Sequence, residues 1–491
     1  MSDLQVAVTL LVFAGVILAI AFNVIDMAVA ALLGVSTLLL FGVFTRQEFL
    51  NTAQTAGGSI SLLFGGMVVA RTLVPTGIFE LVGTRFLRAT GGSGKRFLLG
   101  LIVLVAPLCA FLPNATTVIL LAPIIIRVAK ALEVDFVGPL VLTAIISNSA
   151  GLLTLVGDPA TFLVGSSINM SFGQYLQKVS IGGLLSVLVL VPLLPLVMRD
   201  VWRVKRTLPA DLPQQRLERP VFCIFSFVVL MLMVLLFLFG ESLPSHLVPP
   251  SAAIIGASLA LLIIYRTRVE PVDKVLRDVD WKTLLFITCM FLMVEAFTRT
   301  GIIHSLSRNM VAWFGTNLLL VSIVMLVGVA AASSVLANIP VVAAMILLVK
   351  GYCVAAELVP EMALGPAFTA WPALTLPIFV AMMFGGTLGG NATLIGASAN
   401  IVSSGISAAH GKPISFITFA RYGVPLTLCQ LVLSAFYVLA LHWILVANIE
   451  VFPGTGDVCR RLKLTDLNFC LHEGVMKLPA TNLHCAAVWE N

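Results

Sequence analysis

Apolar runs about as long as a membrane is thick recur from the N-terminus to residue 447, and they constrain the fold more than any other feature of the chain. They lie at about 5–22, 27–44, 57–74, 97–112, 114–131, 136–170 and 178–198. A second set follows at about 221–240, 250–265, 283–300, 313–336, 338–350, 371–410 and 420–447. A helix of about 20 apolar residues spans the hydrocarbon core, and these runs carry no amphipathic period. Only 11% of the 491 residues are charged, while 59% are hydrophobic. A soluble domain carries about 25% charge, so this surface cannot face water. A soluble enzyme, a disordered chain, a collagen and a coiled coil are excluded. The expected fold class is an all-α polytopic membrane protein with about ten crossings.

The net charge of +6 reads as the Lys/Arg excess that membrane proteins keep in cytoplasmic loops. No basic stripe is interleaved with aromatics, so no nucleic-acid partner is expected. Of the eight cysteines, Cys109, Cys223, Cys289, Cys353 and Cys429 lie in apolar segments and read as small hydrophobes. Cys459, Cys470 and Cys485 lie in a polar tail, where a disulfide is open to them outside the cytosol. No CxxC occurs, so a zinc or redox motif has no support. Met1–Gln5 offers no positive n-region, and no cleavable signal is expected.

Residues 199–219 carry Arg199, Arg203, Lys205, Arg206, Arg216 and Arg219 with several prolines, and form the obvious linker. They divide the chain into a first unit at 1–198 and a second at 220–447, followed by a polar tail at 448–491. The two units repeat each other. Thr76-Gly77-Ile78 resembles Thr300-Gly301-Ile302, and Leu112-Pro-Asn114 resembles Leu336-Ala-Asn338, both at an offset of 224. Thr154-Leu-Val-Gly-Asp-Pro-Ala-Thr161 resembles Thr393-Leu-Ile-Gly-Ala-Ser-Ala-Asn400 at an offset of 239. Three landmarks in one order, one insertion apart, mark an internal repeat.

The basic loops change sides between the units. Arg85, Arg88, Lys95 and Arg96 are cytoplasmic by the positive-inside rule, which puts the N-terminus outside three crossings earlier. Their repeat equivalent near 304–316 holds only Arg308. Conversely, the 45–55 loop holds only Arg46, while 266–282 holds Arg266, Arg268, Lys274, Arg277 and Lys282. Such a swap marks an inverted-topology repeat. Lys95 and Arg96 precede the 97–131 segment, and Arg127 and Lys130 close it. A re-entrant hairpin broken at Pro113-Asn114 therefore fits better than two crossings. Pro159 breaks the 136–170 run into two half-helices. Two hairpins and two broken helices are expected, one of each per unit. Interrupted apolar segments at matching places in both halves point to a transport site.

The breaks hold the residues that could carry chemistry. Asn114, Thr116 and Thr117 lie at the first tip and Asn338 at the second. Their oxygens suit a hard cation such as Na⁺, and their donors, with half-helix N-termini, suit an anion. Asp158, beside Gly157 and ahead of Thr161, is an acidic group inside an apolar run and a functional candidate by default. It also has the form of a cap for the second half-helix. Asn114 and Asp158 together form the candidate Na⁺ site. In the second unit Ala397 replaces the acid, and Asn391, Thr393, Gly396, Ser398 and Asn400 supply neutral groups.

Arg71 and Glu295 occupy matching repeat positions, with Arg299 four residues after Glu295, and structural pairing is the simpler reading of both. Asp26 lies in a short turn and reads as solvated. Asn114-Ala-Thr116, Asn169-Met-Ser171 and Asn391-Ala-Thr393 match a glycosylation pattern, but the first and third lie inside the membrane. Gly91-Gly-Ser-Gly-Lys95 lacks the spacing of a P-loop, and no HExxH exists. An ATPase or membrane protease has no support, and no enzyme activity or cofactor is expected beyond a Na⁺ or H⁺ coupling ion.

Gly157-Asp-Pro-Ala-Thr-Phe-Leu-Val-Gly-Ser-Ser167, Gly385-Gly-Thr-Leu-Gly-Gly-Asn-Ala-Thr-Leu-Ile-Gly-Ala-Ser-Ala-Asn400 and Ile414-Ser-Phe416 together resemble the ion transporter superfamily. Within it, residues 5–447 are similar to the citrate-transporter-like permeases, a group with arsenite pumps, the melanosomal P protein and certain sodium/proton antiporters. The resemblance implies inverted repeats, a homodimer and a transport domain moving against a scaffold. It implies ion sites at Asn114 to Thr117 with Gly157 and Asp158, and at Asn338 with Gly396 to Asn400. Pro113 stands where close relatives carry Asp, and neither tip has the Ser-Asn-Thr of dicarboxylate carriers. The expected function is alternating-access transport of small inorganic or organic anions, or arsenite-like species, coupled to Na⁺ or H⁺. Two rivals stay open: a sodium/proton antiporter without anion cargo, and a non-transporting membrane scaffold. The expected location is a bacterial-type inner membrane with both termini outside.

Overall fold

The computed structural model describes residues 2–21, 24–206, 217, 219–240, 243–365 and 368–447, and short backbone stretches between 449 and 476. Most of the linker, including Arg216, and the side chains of Cys459, Cys470 and Cys485 lie outside the described residues, as does the disulfide expected among them.

The first unit opens with α1 (Asp3–Ala21), α2 (Met27–Leu40) and α3 (Arg46–Thr72). Thr45 and Glu48 cap α3 reciprocally, and Asp26 caps α2. The short α4 (Ile78–Thr90) leads into a helical hairpin, α5 (Gly94–Cys109) and α6 (Asn114–Ala131). A broken helix follows, α7 (Val137–Ala150) and α8 (Pro159–Ser167). Then α9 (Phe172–Tyr175), α10 (Ile181–Leu188) and α11 (Leu190–Val197) run end to end as one 26-residue span, and α12 (Arg199–Trp202) enters the linker. The second unit repeats this order. It comprises α13 (Pro220–Phe239), α14 (Pro249–Thr267), the short α15 (Val272–Arg277), α16 (Trp281–Thr298) and α17 (Ile302–Phe314). Its hairpin is α18 (Leu318–Val335) with α19 (Asn338–Ala355), its broken helix α20 (Leu376–Gly389) with α21 (Ser398–Ala409), and α22 (Phe416–Ala447) closes it. The all-α expectation holds through residue 447. Beyond it the backbone pairs as a small antiparallel meander, β1 (Ile449–Val451), β2 (Val458–Leu462), β3 (Leu467–His472) and β4 (Val475–Met476).

Among the described residues ten helices are long and apolar enough to cross a membrane. Three of them, α6, α18 and α19, are hairpin arms, because both tips stop against the breaks in the split helices. Thr154 Oγ1, in the first break, donates to the Ala110 carbonyl at the first tip. Thr393 Oγ1, in the second break, donates to the Ser334 carbonyl near the second tip. The two bonds are equivalent under the offsets of 239 and 224 read from the sequence. With α2 and the two broken helices in place of those arms, each unit has five crossings. An odd count hands the chain to the opposite side of the membrane, so the second unit is inverted relative to the first.

The packing is reciprocal in the way a two-fold axis demands. Helix α3 packs on α14 as α16 packs on α2. Helix α6 packs on α21 as α19 packs on α8. One layer thus collects α1–α3 with α13, α14 and α16, and the other collects the hairpins, the broken helices and α22.

Ion pairs test the assignment of loops to sides. Arg71 binds Glu270 at 2.9 Å and Asp278 at 2.7 Å, Lys282 binds Asp26 at 2.6 Å, and Lys412 binds Asp135 at 3.2 Å. All of these groups lie on the side that carries the basic loops. Arg299 pairs with Glu48, and Gln5 donates to the Gly42 carbonyl at 2.9 Å, all on the other side. Asp26, read from the sequence as a solvated turn residue, is exposed there and also pairs with Lys282, and that bond keeps its carboxyl below the ordinary range. The pairing was invisible because its partner lies 256 residues away.

Candidate substrate and ion site

Four helices begin at the tips and the breaks. Helices α6 and α19 start at the two tips, and α8 and α21 start just after the two breaks. Each carries unsatisfied backbone N–H groups and a partial positive charge. Gly151 and Gly157 let the first tip and break close together. A Cβ on Gly157 would lie 2.8 Å from the Gly151 carbonyl and 2.9 Å from that of Cys109. A Cβ on Gly151 would lie 2.9 Å from Asp158 Cβ and 3.4 Å from the Asn114 amide. Gly390 and Gly396 make the equivalent approach in the second unit.

Among the described residues Asp158 is the one carboxylate at these breaks, and it is 2% exposed. One of its oxygens, Oδ2, accepts from the Thr161 backbone N–H at 3.2 Å and from Thr387 Oγ1 at 3.1 Å. The first bond caps α8, with Pro159 at its first position. The second ties the first break to α20, and Asn338 of the second tip faces the same carboxylate. Asn114 Oδ1 and Thr117 Oγ1 are buried without a hydrogen-bond partner. Such orphaned oxygens are uncommon in a folded interior. Two free oxygens at a helix start near a carboxylate are a donor set that suits Na⁺. Among the described residues no group of three His, Cys, Asp or Glu could hold a metal ion.

The second break is closed on itself. Asn148 Nδ2 donates to Asn391 Oδ1 and to Asn400 Oδ1, both at 3.0 Å. Asn391 Nδ2 donates to Ser149 Oγ at 3.0 Å and to Gln430 Oε1 at 3.1 Å. Asn400 Nδ2 donates to the Gly390 and Thr393 carbonyls, each at 2.8 Å. The amides of Asn391 and Asn400 are therefore spent on shaping the break, with Thr393 holding the tip. Gly396 is buried at the turn, whereas Ser398 is exposed. Thr116 is half-buried in the first turn of α6, and Thr161 donates its hydroxyl to the Asp158 carbonyl at 2.8 Å. The structure thus gathers Asn114, Thr117, Asp158, Asn338 and Thr387 in one group and Asn391, Thr393 and Asn400 in another.

Asn148, Ser149, Thr387 and Gln430 were missed from sequence. The polar triplet Ser147-Asn148-Ser149 inside an apolar run was the available signal. Lys350 was also missed because it ends a run and reads as an interfacial charge. It is 4% exposed, with its ammonium 5.4 Å from the centre of the Trp371 ring. Arg71 and Glu295 are both paired, Glu295 with Arg299 at 3.2 Å.

A sequence profile described as "Citrate transporter" matches residues 17–371. The chain belongs to the citrate transporter family. An uncharacterized transporter of Synechocystis is 44% identical over 438 residues, covering 89% of this chain and 98% of that one. The human P protein is 26% identical across 90% of this chain and 60% of its own length. The crystal structure of the YdaH transporter from Alcanivorax borkumensis, described as having an unusual topology, aligns with a TM-score of 0.52 at 12% identity. It covers 81% of this chain and 88% of that one, and the likeness is one of fold. This member of the citrate transporter family is an integral membrane protein and a transporter.

Proposed function

We propose that the protein is a secondary active transporter that moves a small anion across the membrane by alternating access, coupled to Na⁺ or H⁺. The meeting of two hairpin tips and two helix breaks at one depth, with unpartnered Asn114 and Thr117 oxygens beside Asp158, carries this reading. The four helix N-termini supply positive ends for an anion without a permanent charge at the tips. Asp158 with Asn114 supplies the cation or proton side of the coupling. The layer of α1–α3 with α13, α14 and α16 acts as scaffold, and the layer with the hairpins moves. The basic loops face the cytoplasm of an inner membrane, both termini lie outside, and two copies pair through their scaffolds.

The test is uptake into proteoliposomes of citrate, succinate, phosphate and arsenite under imposed Na⁺ and H⁺ gradients. Gradient-driven accumulation of at least one is expected, and no flux of any would overturn the reading. Asp158 favours one rival, a sodium/proton antiporter without anion cargo. It would answer an alkali-cation pulse by dequenching a trapped pH dye with no anion present.

A further inference from the structure

A cavity of about 340 Å³ lies between the two layers, and Ser166, Ser167, Asn169, Glu295 and Lys350 are among its lining residues. Lys350 belongs to α19, and Glu295 to α16 on the scaffold side. At 1.5 Å per residue, Lys350 is about 18 Å along its helix from Asn338, so this place is separate from the tips. The Lys350 ammonium makes no hydrogen bond or ion pair among the described residues; it lies 5.4 Å from the centre of the Trp371 ring and feels the Glu295 carboxylate only at longer range. Glu295 is occupied by Arg299, which also holds Glu48. A buried ammonium without a hydrogen-bond acceptor is costly, and an aromatic face with a distant, shared carboxylate offsets only part of that cost.

We propose that this cavity binds the negatively charged group of the transported anion, a carboxylate or an inorganic oxyanion, with Lys350 as the residue that recognises its charge. The proposal rests on the anion-transporter reading and names where the anion first docks. On the facing wall, Ser166 Oγ and Ser167 Oγ donate to carbonyls of their own helix at 3.1 and 2.8 Å, and rotation about one bond turns either toward a guest. The Asn169 amide supplies a further donor at the mouth. A docked anion neutralises Lys350, so the moving layer no longer carries a bare charge past the scaffold.

The test uses the full chain in nanodiscs and reads the rise in Tm with citrate, succinate, phosphate or arsenate, titrated to give Kd. Carboxylates alone, or oxyanions alone, raising Tm identifies the class. Lys350→Gln is expected to weaken binding about tenfold or more, the loss of one charge-assisted contact, while Lys350→Arg retains most of it. In a background without other cysteines, Lys350→Cys is expected to lose binding and to regain it on aminoethylation, but not on methylthiolation. That pair also guards against a Lys350→Gln chain that fails to fold. Equal Kd in Lys350→Gln and wild type, or no shift of wild-type Tm by any of the four anions, would overturn the site. Binding lost in Lys350→Gln without gradient-driven uptake in wild type would support the site and overturn the transport reading instead.

Discussion

Asp158 caps α8, and under the proposed function it also balances the coupling ion; a single substitution separates the two. Asn caps a helix as well as Asp does, so Asp158→Asn keeps the Thr161 bond and the fold. Its Tm is expected to stay near that of the wild type. Gradient-driven uptake is expected to fall at least about tenfold, because the charge that balances the coupling ion is gone. Unchanged uptake and unchanged ion dependence would remove Asp158 from the coupling site. Gly157→Ala tests the close approach behind it. Its Cβ meets two carbonyls below 3.0 Å, and backbone atoms cannot yield without parting tip from break. Loss of uptake with a lowered Tm is expected, and a wild-type Tm would contradict the packing described. At this scale the sequence was informative about what is expensive and silent about what is paired. Asp158 declared itself as an acid inside an apolar run. Asp26 and Lys350 did not, since neither a distant partner nor the absence of one is written in a local pattern.

The split helices are held open by side chains from elements that a sequence reading has no means of joining. Gln430 on α22 donates to Ser149 Oγ at 2.8 Å and to the Ser186 carbonyl at 2.9 Å, while accepting from Asn391. Gln430→Leu leaves Asn391 and Ser149 buried without these partners, and unsatisfied buried groups cost about 1–3 kcal/mol each. The expected outcome is a clear drop in Tm, measured in the same lipid; an unchanged Tm would show the network to be dispensable. The breaks themselves were legible, because proline and glycine interrupt an apolar run in a way no straight helix tolerates. Which residues seal a break was not legible, because an all-apolar helix gives no period from which its neighbours can be read.

Inversion of the two units follows from parity, from reciprocal packing and from the ion pairs described above, each of which joins loops on one side. Gln47, at the start of α3, and Asp273, in α15, are both exposed; they lie in the repeat-equivalent segments 45–55 and 266–282 and are assigned to opposite faces. Single cysteines there are expected to react with an impermeant thiol reagent from opposite sides of oriented vesicles. Reaction from one side at both positions would refute the topology. The repeat was readable because three landmarks kept their order and spacing, and the structure returns those spacings as equivalent hydrogen bonds at Thr154 and Thr393. The cavity between the layers was not readable, since its walls come from helices far apart in the chain.

The central claim is that the tips form one site reached in turn from either side. A single cysteine at Asn338, in a chain without other cysteines, tests it most directly. Impermeant reagent applied separately to each side of oriented vesicles should modify it from both, and an imposed Na⁺ or H⁺ gradient should speed one side while slowing the other. Modification from one side alone, unmoved by either gradient, would contradict the account.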